Sequence, residues 1–131
     1  MADNELTVQT GGLVSVIQNQ GLDSVIKPLF QEIYLFDSYV AGTTHLEDKS
    51  VLETLKPDDK LTLQREDNEF DSNAILIMNG EGKKIGYVPE KDNIVFARLM
   101  DARKMLIAKI SKISQKGDFT KINIGIYLVD F

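Results

Sequence analysis

Residues 61–89 read LTLQREDNEFDSNAILIMNGEGKKIGYVP, and this stretch decides the fold. Apolar and polar side chains alternate over residues 61–65, which is typical of a strand with one buried face. The apolar run within residues 73–78 predicts a more fully buried strand. The NGEG sequence of residues 79–82 predicts a turn, because Asn and Gly tolerate positive φ. Residues 83–88 therefore return as the next strand of a hairpin, which Pro89 ends.

Three further strands are predicted on either side of this stretch. Residues 34–42 have the aromatic and β-branched content of a strand that ends at a glycine. Residues 105–113 and 119–129 predict two long strands, and in the second of these isoleucine and leucine occupy alternate positions. Short connections between the strands favour antiparallel pairing over a βαβ arrangement.

Two short helices are predicted between the strands. Residues 48–55 place Val51, Leu52 and Leu55 on one helical face. A second helix is expected to begin at Asp92 and to run to about Arg103. Its predicted apolar side consists of Ile94, Val95, Leu99 and Ala102. The predicted fold class is therefore mainly β with two or more short helices, as an antiparallel sheet curled into a small barrel.

The length of 131 residues fits one ordinary domain. Residues 1–33 are interpreted as an N-terminal extension that is partly helical, since a short apolar stretch there ends at Gly21 as a helix or turn would. Residues 34–131 are interpreted as the barrel domain.

Composition excludes several kinds of chemistry. The chain has no cysteine and one histidine, so thiolate nucleophiles, disulfides, cysteine-ligated zinc and histidine-rich metal sites are excluded. No cofactor is predicted. The first 26 residues lack the lysine or arginine of a leader sequence, and the uncharged run at residues 6–22 is too short and polar to span a bilayer. We expect a cytoplasmic protein without a membrane segment.

Charge is distributed unevenly along the chain. Residues 1–82 hold five basic and 15 acidic side chains, whereas residues 83–131 hold ten basic and five acidic ones, so the two parts carry −10 and +5. The net charge of −5 by itself argues against nucleic acid, because phosphate binding depends on lysine and arginine. The cationic second part leaves nucleic-acid binding open, as it leaves open an ordinary solvated surface.

Three blocks of sequence occur in a specific order: residues 37–45, DSYVAGTTH; residues 61–75, with REDNEFDSNAI at their centre; and residues 84–93, KIGYVPEKDN, followed by a helix. Together they resemble the HIRAN family over about residues 36–129. The resemblance implies an OB-like β-barrel that binds DNA without catalysis and grips the 3′ end of a single strand, in DNA repair or replication. In relatives the module is fused to fork-remodelling ATPases, which implies a helicase or nuclease as a partner.

The resemblance implies a pocket formed by Phe70, Asp71 and Tyr87. Phe70 would stack on a base, and Asp71 would accept a hydrogen bond from a terminal sugar hydroxyl. Asn68 and Asn73 would position the corner or contact base edges. Four of these residues have a structural alternative. An isolated phenylalanine such as Phe70 is more often a core residue, Asp71 and Asn73 are suited to capping the turn, and Tyr87 is suited to ordinary barrel packing.

Charged candidates complete the predicted site. Lys84, Lys91 and Arg98 are expected to contact the strand's backbone. His45 would stack on a base or donate to phosphate, and Arg65 lies within reach of the corner unless it pairs with Glu66 or Asp67. Where many relatives carry arginine or lysine near the proline, this chain has Glu90, which weakens the expected phosphate contact.

Two alternatives of other classes remain at this point. Asp71 with Glu81 and Lys83 imitates the D…ExK pattern of metal-dependent nucleases, although the second part of the pattern falls on a predicted hairpin turn. The acidic first part of the chain and an exposed strand edge would instead suit a protein-interaction module that recruits a DNA-processing enzyme.

Overall fold

Six strands form one sheet in the computed structural model, which describes residues 31–130. The strands are β1 (Gln31–Tyr39), β2 (Lys60–Arg65), β3 (Ile75–Met78), β4 (Lys84–Tyr87), β5 (Met105–Lys116) and β6 (Phe119–Asp130). Their order in the sheet is β1-β6-β5-β2-β3-β4, and the pairings β2–β3, β2–β5, β3–β4 and β5–β6 are antiparallel. The predicted fold class, a mainly β, OB-like curled sheet, is confirmed.

Contacts divide the chain into two units, and the fold described here is the unit Ile33–Val129. The prediction of a partly helical extension over residues 1–33 falls almost wholly outside the described residues. The boundary at residue 34 stays a prediction.

The two edges of the sheet meet through an isolated bridge between Ala41 and Tyr87. Ala41 follows β1 at one edge and Tyr87 ends β4 at the other, and the two residues exchange backbone hydrogen bonds of 2.8 and 2.9 Å. Gly86 permits this approach, because a Cβ atom there would overlap the Ala41 carbonyl oxygen and the Val40 side chain. The sheet is thereby bent into a half-barrel.

One apolar core fills the concave side of the half-barrel. The alternation predicted for the last strand is confirmed, since Ile122, Ile124 and Ile126 are fully buried. Other members of the core are Leu61, Leu63, Ile75, Ile77, Ile85, Phe96, Ala97, Leu106, Ala108 and Ile110.

The first predicted helix is a 3-10 helix, Lys49–Thr54, and a second 3-10 helix covers Thr43–His45. Asp48 caps the former by accepting a hydrogen bond of 3.0 Å from the Ser50 backbone nitrogen. Gly42 precedes the latter with a φ of 80°, a conformation that favours glycine.

The helix after Pro89 is α1 (Glu90–Asp101), and its predicted apolar face is wrong in part. Ile94 and Val95 are 47% and 60% exposed, and Ala102 is the exposed residue that follows the helix. The buried residues are Asn93, Phe96 and Ala97. The helix is rotated relative to the prediction, so that Phe96 and Ala97 face the core and Asn93 turns inward to Asp71. Within the described part of the chain, none of the helices is long and apolar enough to cross a membrane.

Candidate nucleic-acid interface

The segment between β2 and β3 is a tight corner organised by Asn68. The Asn68 side-chain oxygen accepts hydrogen bonds from the backbone nitrogens of Phe70 and Asp71, at 2.9 and 2.8 Å. The corner is closed behind them, since the Glu66 backbone nitrogen donates to the Ala74 carbonyl at 2.9 Å. Asn68 therefore positions the corner, one of the two roles that the sequence predicts for it.

Phe70, Asp71 and Tyr87 line one cavity of about 320 Å³. The other lining residues are Ala41, Gly42, Asn68, Ala74, Val88 and Glu90. The bridge between Ala41 and Tyr87 brings the two sheet edges to this cavity, and the Asn68 corner supplies its outer wall. Strands distant in sequence thus bring the three predicted pocket residues together.

Phe70 is 88% exposed, so the core alternative for this residue is wrong. Burial of a large apolar ring normally stabilises a fold, but the Phe70 ring stays exposed to water and does not provide this stabilisation. The ring lies at the cavity, and Asn68 fixes the backbone from which it projects. An exposed, positioned ring is suited to stacking on a flat ligand.

Asp71 is half-buried, and its two carboxylate oxygens are each held by one donor. One oxygen accepts from the Asn73 backbone nitrogen and the other from the Asn93 side-chain amide, both at 2.8 Å. The capping role that the sequence predicts for Asp71 is confirmed, whereas Asn73 contributes its backbone nitrogen and the roles predicted for its side chain stay predictions. Each oxygen keeps capacity to accept a further hydrogen bond, because a carboxylate offers about four acceptor sites.

Asn93 was not found from the sequence, although it is 3% exposed and orients the Asp71 carboxylate. A buried amide needs a hydrogen-bond partner, and Asp71 is that partner. Asn93 is the last residue of the block at residues 84–93 that carries the family resemblance, and that block is the signal that could have found it.

A second network holds the Tyr87 ring. The Tyr87 hydroxyl donates to a Glu66 carboxylate oxygen at 2.8 Å, and the Asn68 amide donates to the same oxygen at 2.9 Å. These two hydrogen bonds hold the pKa of Glu66 below its usual value, and the nearby Lys84 charge adds to the effect. Glu66, which the sequence offered only as a salt-bridge partner for Arg65, therefore links the corner to the strand that carries Tyr87.

Lys84 lies against Tyr87. Its ammonium nitrogen is 3.3 Å from the Tyr87 hydroxyl and 4.6 Å from the centre of the ring. The contact places one predicted backbone-binding cation beside the cavity and engages it in a cation–π interaction.

The Arg65 side chain links the corner to the end of α1. Its guanidinium pairs with the Asp101 carboxylate at 2.9 Å and donates to the carbonyls of Ser72 and Ala74, each at 2.8 Å. The expected pairing with Glu66 or Asp67 is wrong, because the helix that follows Pro89 ends within reach and offers a carboxylate of its own. The hydrogen bond from Arg65 holds the pKa of Asp101 below its usual value.

The remaining predicted cations lie outside the cavity. His45 lines a different cavity of about 460 Å³, together with Lys83 and Lys84. Lys91 lies over the Tyr39 ring at 5.5 Å, and Arg98 is exposed on α1. The charged side chains among the described residues that line the Phe70 cavity are Asp71 and Glu90. The cavity is therefore anionic at its wall, and its cations lie further out.

The described residues give the nuclease alternative no support. Within residues 31–130, no group of three or more histidine, aspartate or glutamate side chains could hold a metal ion. Glu81 lies in the turn between β3 and β4, as the sequence predicts.

A half-closed, OB-like sheet that presents an exposed ring beside an oriented carboxylate defines a small binding module. The family model of the HIRAN domain matches residues 33–129, and the chain belongs to the HIRAN family. A search of curated proteins finds no match.

Solved structures agree with this assignment. A protein from Lactobacillus plantarum is 25% identical with a TM-score of 0.72, and the similarity covers 78% of this chain and 99% of that one. The crystal structure of the HIRAN domain of human HLTF is 16% identical with a TM-score of 0.61, covering 77% of this chain and 79% of that one. The NMR structure of the HLTF HIRAN domain has a TM-score of 0.55 at 17% identity and covers 76% and 79%. The two HLTF structures show the shared fold.

Proposed function

We propose that this protein binds nucleic acid and holds the 3′ end of a single DNA strand, without catalysing a reaction on it. The single observation that carries the proposal is the cavity shared by Phe70, Asp71 and Tyr87, whose volume of about 320 Å³ lies at the small end of ligand pockets. Membership of the HIRAN family, a family of nucleic-acid-binding modules, supports it.

Two contacts are assigned to the terminal nucleotide. The exposed Phe70 ring stacks on the last base, a contact that tolerates any base because every base has a π-face. The Asp71 carboxylate accepts a hydrogen bond from the 3′-hydroxyl, with the acceptor capacity that Asn73 and Asn93 leave unused. A nucleotide within a strand has no free 3′-hydroxyl, so this second contact distinguishes an end from the middle.

The anionic wall adds to the discrimination. Asp71 and Glu90 both line the cavity, and a 3′-phosphate would bring further negative charge against two carboxylates. A neutral hydroxyl meets no such repulsion. The same two acids that weaken binding to the strand's backbone thus favour a hydroxyl end.

The backbone of the strand is assigned to cations outside the cavity. Lys84 lies at its edge against Tyr87, and Lys91 and Arg98 lie further out, while His45 faces the neighbouring cavity. Binding is therefore weak and sensitive to salt. The proposal includes a cytoplasmic setting, in repair or replication, and a helicase or nuclease that processes the held strand.

The test compares short single strands that end in a 3′-hydroxyl with the same strands ending in a 3′-phosphate, by fluorescence anisotropy. We expect the wild-type protein to bind the hydroxyl form more tightly and Asp71→Ala to remove the difference. Asp67→Asn is the matched control, since Asp67 is an exposed carboxylate in the same corner that does not line the cavity. Equal affinity of the wild-type protein for both ends would overturn end capture.

A second candidate function, protein interaction, is favoured by a different observation. A groove of about 350 Å³ between β1 and α1 is lined by Leu35, Phe36, Ile94 and Val95, and three of these side chains are exposed. Salt titration separates the two functions. DNA binding weakens steeply as salt rises, whereas docking through apolar side chains does not.

A further inference from the structure

The register of the β5–β6 hairpin changes halfway along its length. Ile110 pairs with Ile124, but the next pairs along the hairpin are Lys112 with Asn123 and Ile113 with Ile122, so β5 contains one extra residue. Regular alternation would turn Lys112 toward the core after Ile110, because side chains two positions apart share a face. The bulge reverses this parity and turns Lys112 to the outer face of the sheet.

The changed alternation of side chains between the two faces of the sheet continues to the end of the hairpin. Ser114 pairs with Lys121 and Lys116 pairs with Phe119, and paired residues lie on the same face. Lys112, Lys116 and Lys121 are exposed, and none of them forms an ion pair or hydrogen bond within the part of the chain that the structure describes. Phe119 lies at the end of this row and is 40% exposed. These four residues form the hairpin surface.

We propose that the hairpin surface is a second nucleic-acid contact, which binds the backbone of a strand whose end is held at Phe70. The inference rests on the proposed function for the strand's end and assigns the path of the strand beyond it. Three unpaired lysines match a phosphate backbone, and an exposed ring among cations matches a single-stranded base.

The hairpin surface adjoins the cavity through one loop. Gly42 lines the cavity, and the next two residues, Thr43 and Thr44, line a cavity of about 360 Å³ together with Gln115 and Thr120 of the hairpin. Gln115 and Thr120 lie between the Ser114–Lys121 and Lys116–Phe119 pairs and so face the side of the sheet opposite to the lysines. A strand that leaves the Phe70 cavity over this loop reaches the hairpin surface by passing around the tip of the hairpin, next to Lys116 and Phe119. OB-type modules contact about 4 to 16 nucleotides, so a strand of about 16 nucleotides is long enough for both contacts and one of about 4 reaches the cavity alone.

The experiment measures how the affinity for oligothymidine depends on salt, with Lys116→Gln/Lys121→Gln as the hairpin variant. Lys56→Gln/Lys104→Gln is the matched control, because it removes the same charge from two exposed lysines outside the hairpin. Each phosphate contact to a single strand contributes about 0.7 to the slope of log K against log salt. For a strand of about 16 nucleotides, we expect the slope to become less negative by about 1.4 in the hairpin variant and to stay unchanged in the control.

The strand of about 4 nucleotides is expected to bind the hairpin variant and the wild-type protein with equal affinity. Equal slopes for the hairpin variant and the control on the longer strand would overturn the proposal. So would equal competition by poly-glutamate at the same concentration of charge, which would make the surface a general polyanion site. The outcome is independent of end capture, because strands with a 3′-phosphate report the slope even if the protein does not distinguish the two ends.

Discussion

The side chain of Phe70 is 88% exposed, whereas that of Phe96 is 5% exposed and belongs to the core. We expect Phe70→Ala to change the free energy of unfolding by less than about 0.5 kcal/mol, because the ring buries little surface. The same variant should lose about 1–3 kcal/mol of binding to single-stranded DNA if the ring stacks on a base. Phe96→Ala is the contrast, with an expected loss of stability of about 3–5 kcal/mol. Urea unfolding and anisotropy measured on both variants check this, and a stability loss at Phe70 equal to that at Phe96 would contradict a surface role.

Glu66 makes the stability of the site dependent on pH. Hydrogen bonds from Tyr87 and Asn68, with the Lys84 charge, hold its pKa in the folded protein below the usual value. A depressed pKa contributes stability that is fully present above the unfolded-state pKa of about 4.3 and is lost as the pH falls through the folded-state value. We therefore expect the free energy of unfolding of the wild-type protein to fall more steeply below about pH 4.3 than that of Glu66→Gln, which keeps an acceptor oxygen for Tyr87. Urea unfolding at a series of pH values measures both, and parallel curves would show that Glu66 does not carry the effect.

At the level of elements, β4 and the end of β1 meet only because position 86 has no side chain. A Cβ atom at Gly86 would overlap the Ala41 carbonyl oxygen and Val40. We expect Gly86→Ala to destabilise the protein by about 1–3 kcal/mol, the usual cost of overpacking, and to weaken DNA binding because Ala41 and Tyr87 line the cavity. Gly80→Ala in the turn of the same hairpin is the control, since a Cβ atom there has no neighbour within 4 Å. Comparable destabilisation of the two variants in urea unfolding would show that closure of the sheet is not what Gly86 provides.

Elements that depend on local sequence were predicted, and those that depend on distant contacts were not. The alternation in the last strand and the turn at residues 79–82 are local properties, and both appear in the structure. The buried Asn93 of α1 donates to Asp71, and the Arg65 guanidinium donates to Asp101. In both of these hydrogen bonds the two partners are more than 20 residues apart along the chain, so no local sequence pattern predicts the contacts.

The candidate site residues also divide into those that the sequence predicts and those that it does not. Phe70 and Asp71 are adjacent in one motif, the sequence predicts a pocket that they share with Tyr87, and in the structure all three line one cavity. Glu66 and Asn93, which hold those side chains in place, lie within the blocks that carry the family resemblance, but the sequence assigned neither of them a role in the site. The cations expected at the pocket lie outside it, with Lys84 on β4 against Tyr87 and with Lys91 and Arg98 both on α1.

Over the whole molecule, a net charge of −5 repels a polyanion, and the question is whether that average or the local charge at the cavity limits binding. Glu90 is exposed and lines the cavity, whereas Glu81 is exposed in the turn between β3 and β4 and does not. Substituting lysine at either position changes the net charge equally. The two variants therefore separate a general field from a local contact.

We expect Glu90→Lys to bind single-stranded DNA more tightly by about 1 kcal/mol or more, the interaction of two unit charges about 4 Å apart in water. Its slope of log K against log salt should become more negative by about 0.7, since it adds one phosphate contact. The gain should be larger for a 3′-phosphate end than for a hydroxyl end, because the variant removes one of the two carboxylates that oppose a phosphate in the cavity. Anisotropy titrations at several salt concentrations measure the affinity, the salt slope and the difference between the two ends. Glu81→Lys is measured in the same way as the control. Equal gains for the two lysine variants would mean that the average charge limits binding and that the wall of the cavity does not select the end.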